Sequence, residues 1–248
     1  LEKMADIAAI LSSLEENDVL FIDEIHRINH LIEEALYPAM ESRKLHLMVG
    51  KGPGARSVTI DLPAFTIIGA TTRMHLLSSP LRSRFGGIFK LDYYELNDII
   101  EIIRRSSNLL NIEITSEAIE ILARASRKTP RVANRILKRA RDFNEVIGNH
   151  KGIHESEAIN ALEFLEIDLL GLEYSDRKVL ETIIDKYNGG PVGINAIAAA
   201  LNEDKQTIEE VYEPFLMSIG FLERTSSGRI VTPIGYAHLG KKSKEGLL

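Results

Sequence analysis

Two carboxylates close an apolar run: Val19-Leu20-Phe21-Ile22 shows no polar alternation and stops at Asp23-Glu24. An acid at the C-terminal tip of a buried strand can hold Mg²⁺ through water, and its neighbour can orient and polarise an attacking water. Open α/β sheets bind their ligands at that end. The competing reading is a strand that runs into an acidic helix start. A second apolar run, Phe65 to Ile68, ends in Gly69-Ala70-Thr71-Thr72-Arg73. If the two strands are neighbours, Thr71 stands beside the acids, where its hydroxyl can bond a phosphate or the water. Ser79-Pro80-Leu81-Arg82-Ser83-Arg84-Phe85 offers two arginines that project differently, so one is exposed while the other is tied down. An exposed arginine can stabilise charge on a transferring phosphoryl group. From Arg124 to Arg141 there are eight basic residues and no acid, and Arg131 follows Pro130 at a helix start. A basic helix start can supply a second arginine to phosphates; a solvated basic face is the plainer reading for most of the eight.

The elements that must position these groups are readable from periodicity. Leu1 to Leu14 is helical, with Met4, Ile7, Ala8, Leu11 and Leu14 on one face, and no initiator Met or capping residue precedes it. Val19–Ile22 and Phe65–Ile68 read as strands of a parallel sheet buried on both faces. Between them Ile32 to Met40 reads as a helix, and Leu45 to Leu62 as a β-hairpin whose loop holds Gly50-Lys51-Gly52-Pro53-Gly54. After Tyr94 the pattern turns helical: Asp98–Leu110, Ser116–Ala125, Arg131–Val146 and Ser156–Leu165, with a boundary near Asp168. From Ser175 three helical runs lead into Phe221–Arg224, a Ser226-Ser227-Gly228 turn and Arg229–Val231, the order of a winged helix-turn-helix.

Composition narrows the class. The 248 residues include 30 Lys+Arg against 36 Asp+Glu, a formal net charge of −6, with 44% hydrophobic residues and no Cys or Trp. Disulfides and thiolate metal sites are excluded, and a reducing, cytoplasmic setting is expected. No apolar run approaches the ~20 residues of a membrane span. The global charge speaks against nucleic acid, but Arg224, Arg229, Lys241, Lys242 and Lys244 form a run of five basic residues without an acid. Local patches rather than net charge set phosphate affinity.

Asp23-Glu24-Ile25-His26-Arg27 resembles the acid box of helicases, and more specifically, together with Gly69–Arg73, Pro80–Gly86 and Thr129-Pro130-Arg131, it resembles the Walker B, sensor 1, arginine-finger and sensor 2 motifs of AAA+ ATPases. Gly189-Gly190-Pro191-Val192-Gly193, Tyr212-Glu213-Pro214 and Gly228-Arg229-Ile230 narrow the resemblance to the RuvB family of Holliday-junction branch-migration motors. It implies an α/β plus all-α chain: the C-terminal half of an AAA+ core with a parallel sheet and an inserted hairpin over 1–96, a helical lid over 97–168, and a winged helix domain over 169–248. It implies ATP and Mg²⁺ as ligands, with Asp23 on the metal, Glu24 on the water and Thr71 as sensor. Arg84, rather than Arg82, is the implied finger into a neighbouring subunit, and Tyr94 and Arg131 are nucleotide contacts within one subunit. Glu41, Ser42 and Arg43 fall where relatives line the nucleotide, although relatives usually carry an aromatic at the third position. Arg224 and Arg229 match wing residues that touch DNA. The hairpin Leu45–Leu62 matches the docking element for the junction-binding partner RuvA, and a hexameric ring acting on double-stranded DNA at Holliday junctions is implied.

No G-x-x-x-x-G-K-S/T occurs in the 248 residues, and the family places that phosphate loop upstream of Leu1. The chain reads as part of a longer protein and is expected to bind ATP very weakly and not to hydrolyse it unaided. Two rival readings differ in class. One is a winged-helix DNA-binding regulator on a non-hydrolysing AAA+ scaffold, favoured by the absent loop and opposed by Asp23, Glu24, Arg84 and Arg131. The other is a clamp-loader-like AAA+ protein, opposed by the winged helix and the hairpin.

Overall fold

The computed structural model describes residues 4–49, 56–148 and 152–242, which form two compact units, Leu1–Leu91 and Asp92–Leu248. The hairpin loop with its glycine cluster, and Lys244 of the basic run, lie outside the described residues.

In the first unit, α1 (Met4–Ser12) precedes β1 (Val19–Ile22), α2 (His30–Ser42), β2 (Lys44–Val49), β3 (Arg56–Asp61), β4 (Thr66–Gly69) and the short α3 (Ser79–Arg84). Asn29 starts α2 by accepting the Ile32 N–H at 3.0 Å, as a capping side chain should. β1 and β4 pair in parallel, Val19 with Thr66 through Ile22 with Gly69. The chain between them carries the antiparallel hairpin β2–β3, in register from Lys44–Asp61 to Val49–Arg56. Ile7, Leu11, Ile22, Ile25, Ile32, Leu36, Leu45 and Leu81 form the core. Contrary to expectation, the parallel strands are not buried on both faces. Val19 and Phe21 are each 58% exposed; among the described residues the parallel sheet has two strands, β1 and β4.

The second unit holds two cores. The first packs α4 (Leu96–Leu109), α5 (Ser116–Arg124), α6 (Pro130–Val146) and α7 (Glu155–Phe164) around Ile99, Ile103, Leu122, Ile136, Leu137 and Leu162. Apolar residues three and four apart put one stripe of each helix inward. Thr115 caps α5 by accepting the Ala118 N–H (3.3 Å), and Pro130 occupies the first turn of α6. The second core joins α8 (Tyr174–Tyr187), α9 (Ile194–Leu201), α10 (Lys205–Thr207), a π-helical turn at Ile208–Tyr212, α11 (Glu213–Ser218), the hairpin β5 (Leu222–Thr225) with β6 (Gly228–Val231), and α12 (Pro233–His238). Val192 bridges to Arg229 as a short third strand. Gly228 has φ of +140°, and a Cβ there would meet the Val192 carbonyl oxygen at 2.5 Å, so the wing turn closes only with glycine.

Candidate active site and DNA interface

Parallel pairing aligns the tips of β1 and β4. The Ala70 N–H donates to the Ile22 carbonyl (2.9 Å), and the Ile25 N–H donates back to the Ala70 carbonyl (2.9 Å). Two side chains from each strand exit together. Glu24 adopts a left-handed backbone (φ 49°), which turns its carboxylate toward the β4 exit. There its Oε2 accepts the Thr72 hydroxyl (3.2 Å) and, more loosely, the Thr72 N–H (3.4 Å). Thr71 faces elsewhere. Its Oγ1 accepts the Arg73 N–H (3.0 Å) and lies 2.8 Å from His26 Nδ1, while that same nitrogen is 3.1 Å from Glu24 Oε2. The hydroxyl that touches Glu24 therefore belongs to Thr72, a contact the sequence reading did not name, while Thr71 stands beside the acids through His26.

Asp23 is exposed at the tip, with Oδ1 accepting the Glu24 N–H at 3.0 Å. Among the described residues no group of three or more metal-ligating side chains occurs. A lone carboxylate suits Mg²⁺, which keeps several waters and is usually held by one or two carboxylates plus substrate phosphates.

Glu41 and Arg84 meet on another face of this unit. Arg84 Nη2 lies 3.0 Å from Glu41 Oε1, Nη1 donates to the Pro80 carbonyl (2.7 Å), and the guanidinium carbon sits 4.3 Å from the centre of the Tyr37 ring. Glu41, Arg43, Phe65, Arg84 and Phe85 line a shallow cavity of about 310 Å³. Ser42 donates its hydroxyl to the Pro38 carbonyl (2.9 Å), and Arg43 ends α2 in a left-handed conformation (φ 54°). Of the arginine pair, Arg84 is the one tied down, whereas Arg82 is exposed.

Tyr94 and Arg131 belong to the second unit. The Tyr94 N–H donates to the Lys128 carbonyl (3.1 Å), so Tyr94 stands beside the loop that starts α6, and Arg131 is exposed in the first turn of that helix. One arginine that sequence reasoning left in the basic run has a defined place here. Arg127, 14% exposed, donates through Nη2 to Asp176 Oδ2 (2.5 Å) and through Nε to the Gly171 carbonyl (2.8 Å).

On the wing, Arg224 and Arg229 both reach the buried carboxylate of Glu213, and Arg229 also pairs with Glu209 at 3.2 Å. Arg224 is 48% exposed and Arg229 only 11%. Hydrogen bonding to Glu213 raises the Arg224 guanidinium above its ordinary value. Lys241 is bound to Asp185 at 2.5 Å. The basic run is thus compensated in the fold by acids that lie earlier in the chain, so its sequence count overstates the positive face.

Acids and hydroxyls sharing the tips of parallel strands, with a helical lid and a winged helix in the same chain, define an AAA+ ATPase. Three family models divide the chain: "Holliday junction DNA helicase RuvB P-loop domain" matches residues 1–91, "RuvB AAA lid domain" 94–168 and "RuvB C-terminal winged helix domain" 169–240. The Holliday junction branch migration complex subunit RuvB of Fusobacterium nucleatum is 53% identical over 241 residues, covering 97% of this chain and 72% of that protein. The RuvB Holliday junction branch migration motor of Thermotoga maritima superposes with a TM-score of 0.82 at 49% identity, covering 98% of this chain and 76% of that one. A point mutant of the same protein gives a TM-score of 0.83 at 48% identity, over 97% and 76% of the two chains. The chain belongs to the RuvB family.

Proposed function

We infer that this chain is the motor subunit of a branch-migration complex, in which ATP hydrolysed between subunits of a ring drives double-stranded DNA at Holliday junctions. The observation that carries the catalytic part is the Glu24–Thr72 contact across the paired tips of β1 and β4. Asp23 would hold Mg²⁺ through water, and Glu24 would accept a proton from the attacking water while fixing its direction. Bound Mg²⁺·ATP supplies the phosphoryl group and the charge that draws the water in. Thr72 keeps the Glu24 carboxylate facing the strand tips, and Thr71, the sensor expected from sequence, presents its hydroxyl one residue away. Tyr94 and Arg131 would contact the nucleotide of their own subunit. Arg84 would reach the neighbour's nucleotide, and Glu41, Ser42 and Arg43 would line the nucleotide site.

The segments 1–96, 97–168 and 169–248 then serve as catalytic core, lid and DNA-binding domain. The hairpin Leu45–Leu62 suits RuvA docking, because Met48 and Val58 are exposed apolar side chains on it. Arg224 is the better placed wing contact, with Arg229 bracing the wing from below. No described helix is long and apolar enough to cross a membrane.

The test is steady-state ATP hydrolysis. The 248 residues alone are expected to be inactive, since they hold no phosphate-loop motif. The chain preceded by a phosphate-loop segment of the family is expected to hydrolyse ATP, and Glu24→Gln should then lower kcat by roughly 10²–10⁴-fold, the usual worth of a positioned proton acceptor. Unchanged hydrolysis in Glu24→Gln would remove the assignment.

A further inference from the structure

His26 lies in the turn Ile25–Arg27 directly after Glu24, with 6% of its side chain exposed. Its Nδ1 is within hydrogen-bond distance of two oxygens, Glu24 Oε2 (3.1 Å) and Thr71 Oγ1 (2.8 Å). A carboxylate only accepts, so a proton on Nδ1 suits the 3.1 Å approach to Glu24, while the hydrogen bond itself is the one with Thr71. The opposite tautomer would set an imidazole lone pair against a carboxylate oxygen in a nearly buried position, which is repulsive. With Nδ1–H donated to Thr71, Thr71 Oγ1 has both lone pairs in use, one for His26 and one for the Arg73 N–H. Its own proton is then left to point out of the cluster.

We propose that His26 is a positioning residue for the hydrolytic site. Its Nδ1–H is donated to Thr71 and draws the nearby Glu24 carboxylate electrostatically, and it sets the Thr71 hydroxyl as a donor toward the strand tips. Glu24 Oε2 then has His26 Nδ1 at 3.1 Å and the Thr72 hydroxyl at 3.2 Å, while Oε1 lies 3.5 Å from that hydroxyl. The inference rests on the ATPase reading above, and it extends that reading to a residue that touches no nucleotide. The neighbouring Ile25 fills the core, whereas the His26 ring turns its one bonded nitrogen toward two oxygens of the site, which a space-filling residue has no need to do.

Two measurements test it. In the 248-residue chain at pH 8, long-range ¹H–¹⁵N correlation of the imidazoles, with His26 assigned by its loss in His26→Asn, should find the proton on Nδ1. A proton on Nε2 alone would overturn the proposal, whatever the fate of any variant. In the chain preceded by a phosphate loop, His26→Ala and His26→Gln should lower kcat roughly 10- to 100-fold, since misplacing a reacting group by about 1 Å costs that much, with KM for ATP nearly unchanged. His26→Asn, whose side-chain amide nitrogen falls near the Nδ1 position, should restore most of the loss. Wild-type kcat in His26→Ala, or failure of His26→Asn to exceed it, overturns the proposal. If Glu24→Gln also hydrolyses ATP normally, the ATPase assignment itself is wrong; if only the His26 variants are silent, that assignment stands.

Discussion

In the ring proposed above, Arg84→Ala should abolish ATP turnover, and mixing those subunits with Glu24→Gln subunits should bring part of it back. The expectation follows from where the two groups must act. On the proposed assignment Glu24 would serve the nucleotide of its own subunit and Arg84 the next one, so each variant would spoil a different half of an interface. Loss of a finger arginine costs on the order of 10³-fold in kcat. In a random equal mixture, about a quarter of the head-to-tail interfaces join an intact Glu24 to an intact Arg84, and activity should recover toward that fraction. The resting contacts of Arg84 do not oppose this role. Its partner Glu41 is 59% exposed, and an exposed ion pair is worth about 1 kcal/mol or less. A triphosphate from a neighbour can outbid it. Tyr37 and the Pro80 carbonyl keep the guanidinium extended meanwhile. Arg82→Ala, which removes an exposed arginine, should leave turnover within a few-fold of wild type. Absence of recovery in the mixture would place Arg84 in its own subunit's site.

The second large effect concerns stability. Arg127→Met should destabilise the second unit by about 3–5 kcal/mol at neutral pH, the usual cost of stranding one member of a buried ion pair. Asp176 is 1% exposed, and its Oδ2 accepts both Arg127 and the Glu173 N–H (2.7 Å) at the start of α8. Burial pushes the Asp176 carboxyl above its ordinary value, and the Arg127 guanidinium pulls it partly back. A carboxyl raised by folding favours the folded state below its unfolded value, and that contribution is lost as pH rises through the folded value. Without Arg127 the folded value climbs further, so the variant's deficit should shrink in acid, where Asp176 carries its proton. Denaturant melts of Arg127→Met at neutral and acid pH read this directly. Adding Asp176→Asn should recover a large part of the loss, since no buried charge then remains. Equal deficits at both pH values would show that the lost packing of Arg127 over the Phe215 ring (4.4 Å), rather than the stranded charge, dominates.

Much of the scaffold was legible because it rests on local rules. Unbroken apolar runs ending in acids and threonines announced β1 and β4, alternation across a glycine-rich loop announced the β2–β3 hairpin, and Thr115 and Pro130 marked helix starts. What escaped depends on registers that only the folded chain sets. Thr71 and Thr72 are indistinguishable as a Thr-Thr pair. The left-handed turn at Glu24 sends the carboxylate to the second of them. His26 entered the sequence reading only as part of the Asp23–Arg27 motif, with no role of its own, since no sequence period follows a single 3₁₀ turn. The signal that could have found it is its place two residues after Glu24, where a tight turn folds back on the strand tip. The basic run from Arg224 onward misled for the same reason. Glu209 and Glu213 stand one turn apart at the π-helical segment, so the fold delivers two acids to Arg229 that a linear count assigns elsewhere.

On this reading, ATP hydrolysed at Glu24 moves DNA. The most direct measurement is dissociation of a labelled synthetic Holliday junction by the chain preceded by a phosphate loop, with RuvA present. ATP-dependent conversion of the junction to duplexes is expected, abolished by Glu24→Gln while junction binding persists. Junction bound equally well by both, with ATP consumed by the unaltered chain and no strands exchanged, would contradict it and favour a DNA-binding scaffold.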